Sequence, residues 1–373
     1  MTRKKICHFT IVHRLEDERI FHKECKSLAA KYDVTLVSTA TFTKEHQGIN
    51  VVGIGFPKGT LNRVGRIFSI IPKLLRQKAD VYHFHDPELI FTGFILKKIF
   101  GKKVVYDVHE HYTSKFSGKN FGKLQPFKKI IIKVWNKLEM WMGNSFDLAV
   151  TADGYTLSQF TKVPAISIGN FPPLSFINGV QPGEGKKDEE EFRVVYVGTI
   201  HEQRGLRKAV EAIEKVKYPN VKLHIIGDCK YPELTELFNK SERTVFHGRV
   251  PWEVLNKELK KCHVGLALLQ PVPQFTYCPG ENVVKLFEYA GMGIPYLISN
   301  FPRLSEFVNE NGGGLLVDPT DTDEIARKIE LLYEDKVLYK RLSTEGIEMV
   351  KDRFNWDVQE SKLMNAYAKM LGS

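Results

Sequence analysis

Short runs of β-branched and aromatic residues recur through the first half of the chain: KICHFTIV, YDVTLVST, INVVGIGF, ADVYHFH, KKVVYDVH, FDLAVTA and PAISIGN. Their length and composition predict strands. Between several of them apolar residues return at helical spacing, as in RIFHKECKSLAAK and PELIFTGFILKKIF. Such alternation predicts an α/β protein, a parallel sheet with helices on both faces. The pattern breaks over 178–191, NGVQPGEGKKDEEE, where Gly, Pro and charge replace apolar periodicity, and this stretch reads as a linker. It restarts with FRVVYVGTI, a helix through HEQRGLRKAVEAIEKV, and strands at VKLHIIGD, TVFHGRV, VGLALL, PYLIS and GGGLLVDP. Further helices are expected in PWEVLNKELKKC, Glu281–Gly291 and TDEIARKIELLYED. The expected organisation is a Rossmann-like domain over 1–177, a linker over 178–191 and a second Rossmann-like domain over 192–350. A C-terminal helix within 351–373 could pack back across the junction. Two such domains imply a cleft, and ligands of these sheets bind beyond the carboxyl ends of the strands.

Composition narrows the class. A chain of 373 residues, 43% hydrophobic and 26% charged, without repeats, is what a soluble two-domain globular protein requires. The basic-then-apolar start MTRKKICHFTIV is interrupted by His8, ends at His13 and Arg14 and has no small-residue cleavage site, so it reads as a first strand. The longest apolar stretch elsewhere, Leu89 to Leu96, is far below the roughly 20 residues that span a bilayer. Cys7, Cys25, Cys229, Cys262 and Cys278 lie scattered without metal-type spacing, which suits buried thiols in a reducing, cytoplasmic setting.

The net charge of +10 is uneven: residues 1–180 hold 27 Lys/Arg against 14 Asp/Glu, and residues 181–373 hold 27 against 30. An asymmetry of this size concerns a partner. Two segments concentrate it. In 60–79, Arg63, Arg66, Lys73 and Arg76 flank Ile67, Ile70, Ile71, Leu74 and Leu75. In 114–144, seven lysines lie among Phe116, Phe121, Phe127, Trp135 and Trp141. Both compositions suit an anionic membrane surface on its inner face, and suit equally well packing helices with lysine-rich solvent faces. No helix-turn-helix, zinc-knuckle or RNP-like pattern supports nucleic acid.

The stretch PGENVVKLFEYAGMGIP (279–295) carries candidate chemistry. Asn282 is a good N-cap and Gly291 or Gly293, before Pro295, a good stop, so a helix over 283–291 is expected. The first-turn N–H groups of Val283, Val284 and Lys285 lack intrahelical partners and, with the Lys285 ammonium, make an anion site. Glu281 and Glu288 fall on one face and suit sugar hydroxyls. The plainer reading of this stretch alone is a capped amphipathic helix with a Glu281–Lys285 pair. In YVGTIHEQRGL (196–206) a strand ends at Gly198, where backbone can approach a ligand, and Arg204 offers a fork suited to phosphate.

Three polar clusters follow predicted strands in the first half: VHRLEDERIFHKE with His13, Asp17 and Arg19; HFHDPE with His85 and Asp86; YDVHEHY with His109 and Glu110. His109 with Glu110, or His85 with Asp86, could be zinc-type ligands, but H-x-E…C-x-x-C and H-E-x-x-H spacings are absent. No GxSxG, P-loop or GxGxxG motif follows a strand, which weakens hydrolase, P-loop and dinucleotide readings.

Taken in order, DERIFHKECKSLA, HFHDPELI, VVYDVHEHY, YVGTI…RGL, KLFEYAGMGIP and GGGLLVDPTDTDEIA resemble the retaining, nucleotide-sugar-dependent glycosyltransferases of the GT-B fold, in family four. The resemblance covers nearly the whole chain. It implies two Rossmann-like domains facing across a cleft, with the donor on the C-terminal one and the acceptor on the N-terminal one. It gives Glu288 to the nucleotide ribose, Arg204 and the helix start to the diphosphate, and His109 to the donor sugar. Many members separate two glutamates by seven residues; here Glu281 and Glu288 are separated by six, and Gly280 takes the matching position. The second basic residue after the strand–Gly turn is replaced by Gly205, leaving Lys285 to supply the second charge. The implied activity is retaining hexosyl transfer to an acceptor hydroxyl, such as a lipid-linked saccharide of a capsule, lipopolysaccharide or exopolysaccharide. His109, Glu281, Arg204 and Lys285 would form its catalytic set. His13, Asp17, Arg19, His85, Asp86 and Glu110 would line the acceptor side. No DxD motif is evident, since Asp321-Thr322-Asp323 sits at a predicted helix cap, so no metal or cofactor is implied. A GT-B epimerase or hydrolase, or a non-enzymatic membrane-surface module, are the alternatives.

Overall fold

The computed structural model describes residues 3–109, 121–177, 179–180 and 191–372. Residue 178 and residues 181–190 of the expected linker, residues 114–120 of the second basic segment, and Glu110 lie outside the described residues. The chain forms two compact units, one of Met1–Asn170 with Trp356–Ser373 and the other of Phe171–Asn355.

In the first unit eight strands form one sheet: β1 (Lys5–Phe9), β2 (Asp33–Ser38), β3 (Thr43–His46), β4 (Ile49–Gly53), β5 (Val81–Phe84), β6 (Lys103–Val108), β7 (Leu148–Thr151) and β8 (Ala165–Ser167). Their spatial order is β3-β4-β2-β1-β5-β6-β7-β8. All neighbours are parallel except β3 with β4. β5 and β7 are buried along their whole length, as a parallel sheet covered on both faces requires. β3, TKEH, has no apolar alternation and is not read from the sequence pattern. It exists because Gln47 and Gly48 both adopt positive φ (50° and 82°), the backbone of a two-residue hairpin turn.

The segment read as one helix begins as a π-helix, Glu18–Cys25, and continues as an α-helix, Lys26–Ala29. The His22 N–H reaches back five residues to the Asp17 carbonyl at 3.3 Å. Single wide turns of this kind re-aim side chains and are frequent at functional sites. The C-terminal helix Trp356–Leu371 belongs to this unit: Trp356 Nε1 donates to Ser27 Oγ at 3.1 Å, and Leu363 and Tyr367 are fully buried with Ile20, Phe21 and Leu28.

The second unit has six parallel strands, β9 (Phe192–Val197), β10 (Val221–Ile226), β11 (Thr244–Gly248), β12 (Val264–Ala267), β13 (Tyr296–Ser299) and β14 (Gly314–Val317), in the order β11-β10-β9-β12-β13-β14. The two-residue period of β9 sends Val195 and Val197 to one core and Val194 and Tyr196 to the other. Phe171, Phe176 and Ile177, which the sequence pattern assigns to the first domain, pack in the first of these cores. The boundary therefore falls before them, because their aromatic and apolar surface is buried here.

The helix expected over 283–291 is shorter. A single 3₁₀ turn, Gly280–Asn282, precedes an α-helix of Lys285–Gly291 whose N-cap is Val284. Asn282 does not cap it, since Val283 turns away at φ −94°, ψ 68° to bury its side chain.

Candidate functional site

In the second unit, the carboxyl end of β9 gathers the basic residues. Gly198 follows the strand at φ 127°, and a side chain there would meet Lys285 Nζ at 3.4 Å. Lys285 Nζ lies 3.6 Å from the centre of the Tyr196 ring, and the Arg204 guanidinium 4.8 Å from that of Phe275. Each cation rests on an aromatic face, and among the described residues neither forms an ion pair. Burial, together with the charge of Arg204, depresses the Lys285 pKa far below its usual value, while Glu288 offsets part of this. Burial, then Arg204 and Lys285, also lower the pKa of His201. Two cations that repel each other, only partly offset by Glu288, form a place where an anion is favoured.

Arg204 ends a 3₁₀ turn, Glu202–Arg204, and Gly205 links it to the helix Leu206–Lys215. Gly205 has φ +74°, and an added Cβ would stand 2.1 Å from the Leu268 carbonyl oxygen. No side chain fits, which explains physically why a second basic residue is missing there.

Other sequence candidates change place. The Val283 N–H donates to the Gly280 carbonyl at 3.0 Å and the Asn282 N–H to that of Pro279 at 3.1 Å, so neither belongs to an open helix start. Val284 and Lys285 are the backbone positions left at that end. Glu281 sits in the 3₁₀ turn and Glu288 in the helix, so the shared helical face expected for this pair does not form. The aromatic seats Tyr196 and Phe275 are not singled out by the sequence; YVG marks the first only as a strand residue.

In the first unit, the structure joins the three polar clusters. Asp107 is their centre. Its Oδ1 accepts from Arg19 Nη2 at 2.7 Å, and its Oδ2 accepts from Arg19 Nε at 3.0 Å, His85 Nδ1 at 3.0 Å and His109 Nε2 at 2.8 Å. Arg19 Nη1 also donates to the Ile168 carbonyl at 2.6 Å. Burial opposes the Asp107 charge, but the Arg19 guanidinium and the His109 and His85 bonds hold its pKa well below the carboxylate range. His85 is fully buried, and burial outweighs the Asp107 bond to bring its pKa down to about 4.

Beside this centre, Asp86 Oδ2 accepts from Thr10 Oγ1 at 2.9 Å and from the Ile11 N–H at 2.6 Å. His13 Nδ1 is 2.9 Å from Asp17 Oδ2, and His13 Nε2 is 3.5 Å from Asp86 Oδ1. Burial disfavours the His13 imidazolium, but the Asp17 bond and the Asp86 charge outweigh it and raise its pKa. The His13 and His109 rings lie 5.1 Å apart. Asp17 also caps the π-helix, accepting from the Arg19 and Ile20 N–H groups. His13, Asp17, Arg19, His85, Asp86 and His109 thus form one polar assembly at the ends of β1, β5 and β6. Asp107, which fixes two imidazoles and the guanidinium, was not a sequence candidate. Its signal is the D-x-H spacing of YDVHE, which puts Asp107 and His109 on one face of a strand end.

The basic segments are only partly as expected. Ile67, Ile70 and Leu74 are buried in the core of the first unit. The large apolar residues that face outward are Leu61 (89% exposed), Val64 and Phe68 on the helix Gly59–Ser69. On the helix Lys128–Gly143, Ile130, Val134 and Trp141 (62%) are exposed among Lys129, Lys133 and Lys137. No helix among the described residues is long and apolar enough to cross a membrane.

Residues 180–349 match the family described as Glycosyl transferases group 1, and residues 18–166 match Glycosyltransferase Family 4. An uncharacterised 41.2 kDa protein in the cps region of Klebsiella pneumoniae is 22% identical, over 84% of either chain. In three dimensions the chain is similar to the sucrose-phosphate synthase of Thermosynechococcus elongatus, with TM-score 0.76, 16% identity, and 99% of this chain and 100% of that one covered. An Anabaena protein solved in complex with UDP and glucose gives TM-score 0.71 at 14% identity, over 98% of this chain and 100% of that one.

Proposed function

The chain belongs to the group 1 and family 4 glycosyltransferases of GT-B fold, and from that premise we propose that it transfers a hexose from a nucleotide-diphospho-sugar to an acceptor hydroxyl with retention of configuration. The observation that carries the donor half is the cation pair Lys285 and Arg204, seated on Tyr196 and Phe275 beside Gly198. As the nucleoside diphosphate leaves, negative charge grows on its bridging oxygen. Fixed cations that need no reorganisation lower that barrier most. Glu288, on the same helix as Lys285, accepts from the ribose hydroxyls, and the departing phosphate takes the acceptor proton on the same face of the sugar. No metal is required for this charge.

His13 and Asp17, the accessible members of the Asp107 assembly, face the acceptor, while the buried Arg19, His85, Asp86 and Asp107 hold them in place. Asp107 engages His109 at Nε2, which leaves Nδ1 of that ring for a hydroxyl of the donor sugar. The acceptor is a lipid-linked saccharide of a surface polysaccharide, in keeping with the cps-region relative. A thermal-shift panel of UDP-, GDP-, ADP- and CMP-sugars identifies the donor, because a ligand that binds only the folded state raises its apparent stability. Donor turnover should then depend on added glycolipid and fall at least a hundredfold in Glu288→Ala, with the circular dichroism unchanged. Equal turnover with and without acceptor would assign a hydrolase or epimerase instead.

The apolar and basic surface of the first unit docks it on an anionic bilayer at the inner membrane face. Leu61, Val64 and Phe68, and Ile130, Val134 and Trp141, lie on two helices that both pack against the helix Ile90–Lys98. In co-sedimentation at 0.15 M salt, the double variant Ile130→Glu/Val134→Glu should bind phosphatidylglycerol vesicles at least tenfold more weakly than the parent, a loss of about 1.4 kcal/mol. Unchanged partitioning would remove the membrane from this reading.

A further inference from the structure

Behind the acceptor assembly lies a polar group that the transfer reaction does not use. His8 on β1 and His83 on β5 are register partners with rings 4.3 Å apart, and Glu24 comes from the π-helix. All three are fully buried. His8 Nε2, His83 Nε2 and both carboxylate oxygens of Glu24 have no hydrogen-bond partner. A buried polar atom left so is costly, and four in one place call for a common partner.

Proton positions sharpen the point. Asp107 takes the Arg19 fork and is therefore an acceptor, so His85 Nδ1 is a donor to it. A neutral His85 then offers Nε2 as an acceptor, and His8 Nδ1, 3.0 Å away, donates to it. His8 consequently presents a bare lone pair at Nε2. That lone pair shares a dry space with the Glu24 carboxylate and with His83 Nε2, which is 3.8 Å from Glu24 Oε2. Glu24 Oε1 lies 3.0 Å from Arg19 Nε, but that N–H is directed at Asp107. One ligand-type atom from each of His8, Glu24, His83 and His85 lies within 4.8 Å of the others.

We propose that His8 Nε2, His83 Nε2 and the Glu24 carboxylate bind a single divalent transition-metal ion, Zn²⁺ foremost. Two imidazoles and a carboxylate are a borderline-soft set that suits this ion. Ligands about 2 Å from a tetrahedral ion stand roughly 3.3 Å apart, so the site, whose ligand atoms lie within 4.8 Å of one another with His83 Nε2 3.8 Å from Glu24 Oε2, closes on an ion by contraction. The far nitrogens are already held, as metal-bound histidines require: His8 Nδ1 by His85, and His83 Nδ1 by the Tyr367 hydroxyl at 2.7 Å. The neighbouring trio His85, Asp107 and His109 needs no ion, because Asp107 Oδ2 accepts from both rings. The ion staples β1, β5 and the π-helix together and, through His8 and His85, fixes Asp107.

Full-length protein purified without a metal-chelating resin, from cells grown with Zn²⁺, should contain one equivalent by mass spectrometry of the metal. Protein from Co²⁺-supplemented cells should show the visible d–d bands of a low-coordinate Co²⁺ site. Glu24→Gln and His83→Gln should both lose the metal, while His224→Gln should keep it. The last is the control for the second unit, where His224 lies 2.9 Å from both His247 and Glu191. Folded wild-type protein without stoichiometric metal overturns the proposal, leaving a proton on Glu24 to face His8. Metal retained in Glu24→Gln and His83→Gln overturns it equally. If these two variants fail to fold, the wild-type metal content and Co²⁺ spectrum decide alone.

Discussion

Arg19→Met should lower the unfolding free energy at pH 7 by about 3–5 kcal/mol, the cost of leaving a buried charge without its partner. Among the described residues the guanidinium gives Asp107 two of its four hydrogen bonds and the charge that most favours its ionised form. Methionine fills similar volume and gives neither. The pH dependence fixes the cause. In the wild type the folded-state pKa of Asp107 is depressed, so the contribution is present above the ordinary carboxylate range and is lost as pH falls through the depressed value. In Arg19→Met burial dominates and raises that pKa, so the variant gains relative stability as the carboxyl protonates. The deficit should therefore be largest near pH 7 and shrink toward pH 4. Asp107→Asn in the Arg19→Met background should recover part of it, since the neutral amide leaves no charge unpaired. Urea midpoints for the four proteins of this cycle test the claim; a deficit under about 1 kcal/mol, or one independent of pH, would show that Arg19 does not hold the Asp107 charge.

This assembly also shows how far a sequence pattern reaches. The strands are legible because parallel strands are buried on both faces and read as continuous apolar runs. β3 is not, since TKEH pairs through a Gln-Gly turn and carries no apolar face of its own. The polar clusters are legible one by one, as histidines and carboxylates after strands. Their meeting point is not, because Arg19 and Asp107 are 88 positions apart and only the β1-β5-β6 order makes them neighbours. A wide helical turn adds to this. The π-helix shifts Glu24 relative to α-helical spacing, so a period of 3.6 does not place it beside His8 and His83. In the second unit, a residue-type reading finds Lys285 and Arg204 as cations. It does not find that each lies on an aromatic ring, which follows from how the β9 end and the short helix Pro273–Thr276, which carries Phe275, pack.

That placement makes the largest functional prediction specific. Arg204→Ala and Lys285→Met should each weaken nucleoside diphosphate binding by roughly 10- to 150-fold, the worth of a charge-assisted hydrogen bond at about 1.5–3 kcal/mol. Either variant should leave the fold intact, because neither side chain holds an ion pair among the described residues. Proton linkage distinguishes this from a loss of shape. Burial and Arg204 depress the Lys285 pKa in the free protein, and a bound diphosphate favours the ammonium and raises it. Binding therefore takes up a proton wherever pH lies above the free-state value, and affinity falls as pH rises through it. Arg204→Ala removes one depressing charge, so the fall should move to higher pH in that variant. Lys285→Met should abolish it. His201 is lowered by burial and by the same two charges and would add uptake of the same sign, which His201→Asn isolates. Calorimetry of the diphosphate in buffers of different ionisation enthalpy, from pH 7.5 to 10, reads the proton directly. An uptake unchanged in Lys285→Met would place the anion elsewhere, because Lys285 is the lysine whose Nζ stands beside Gly198.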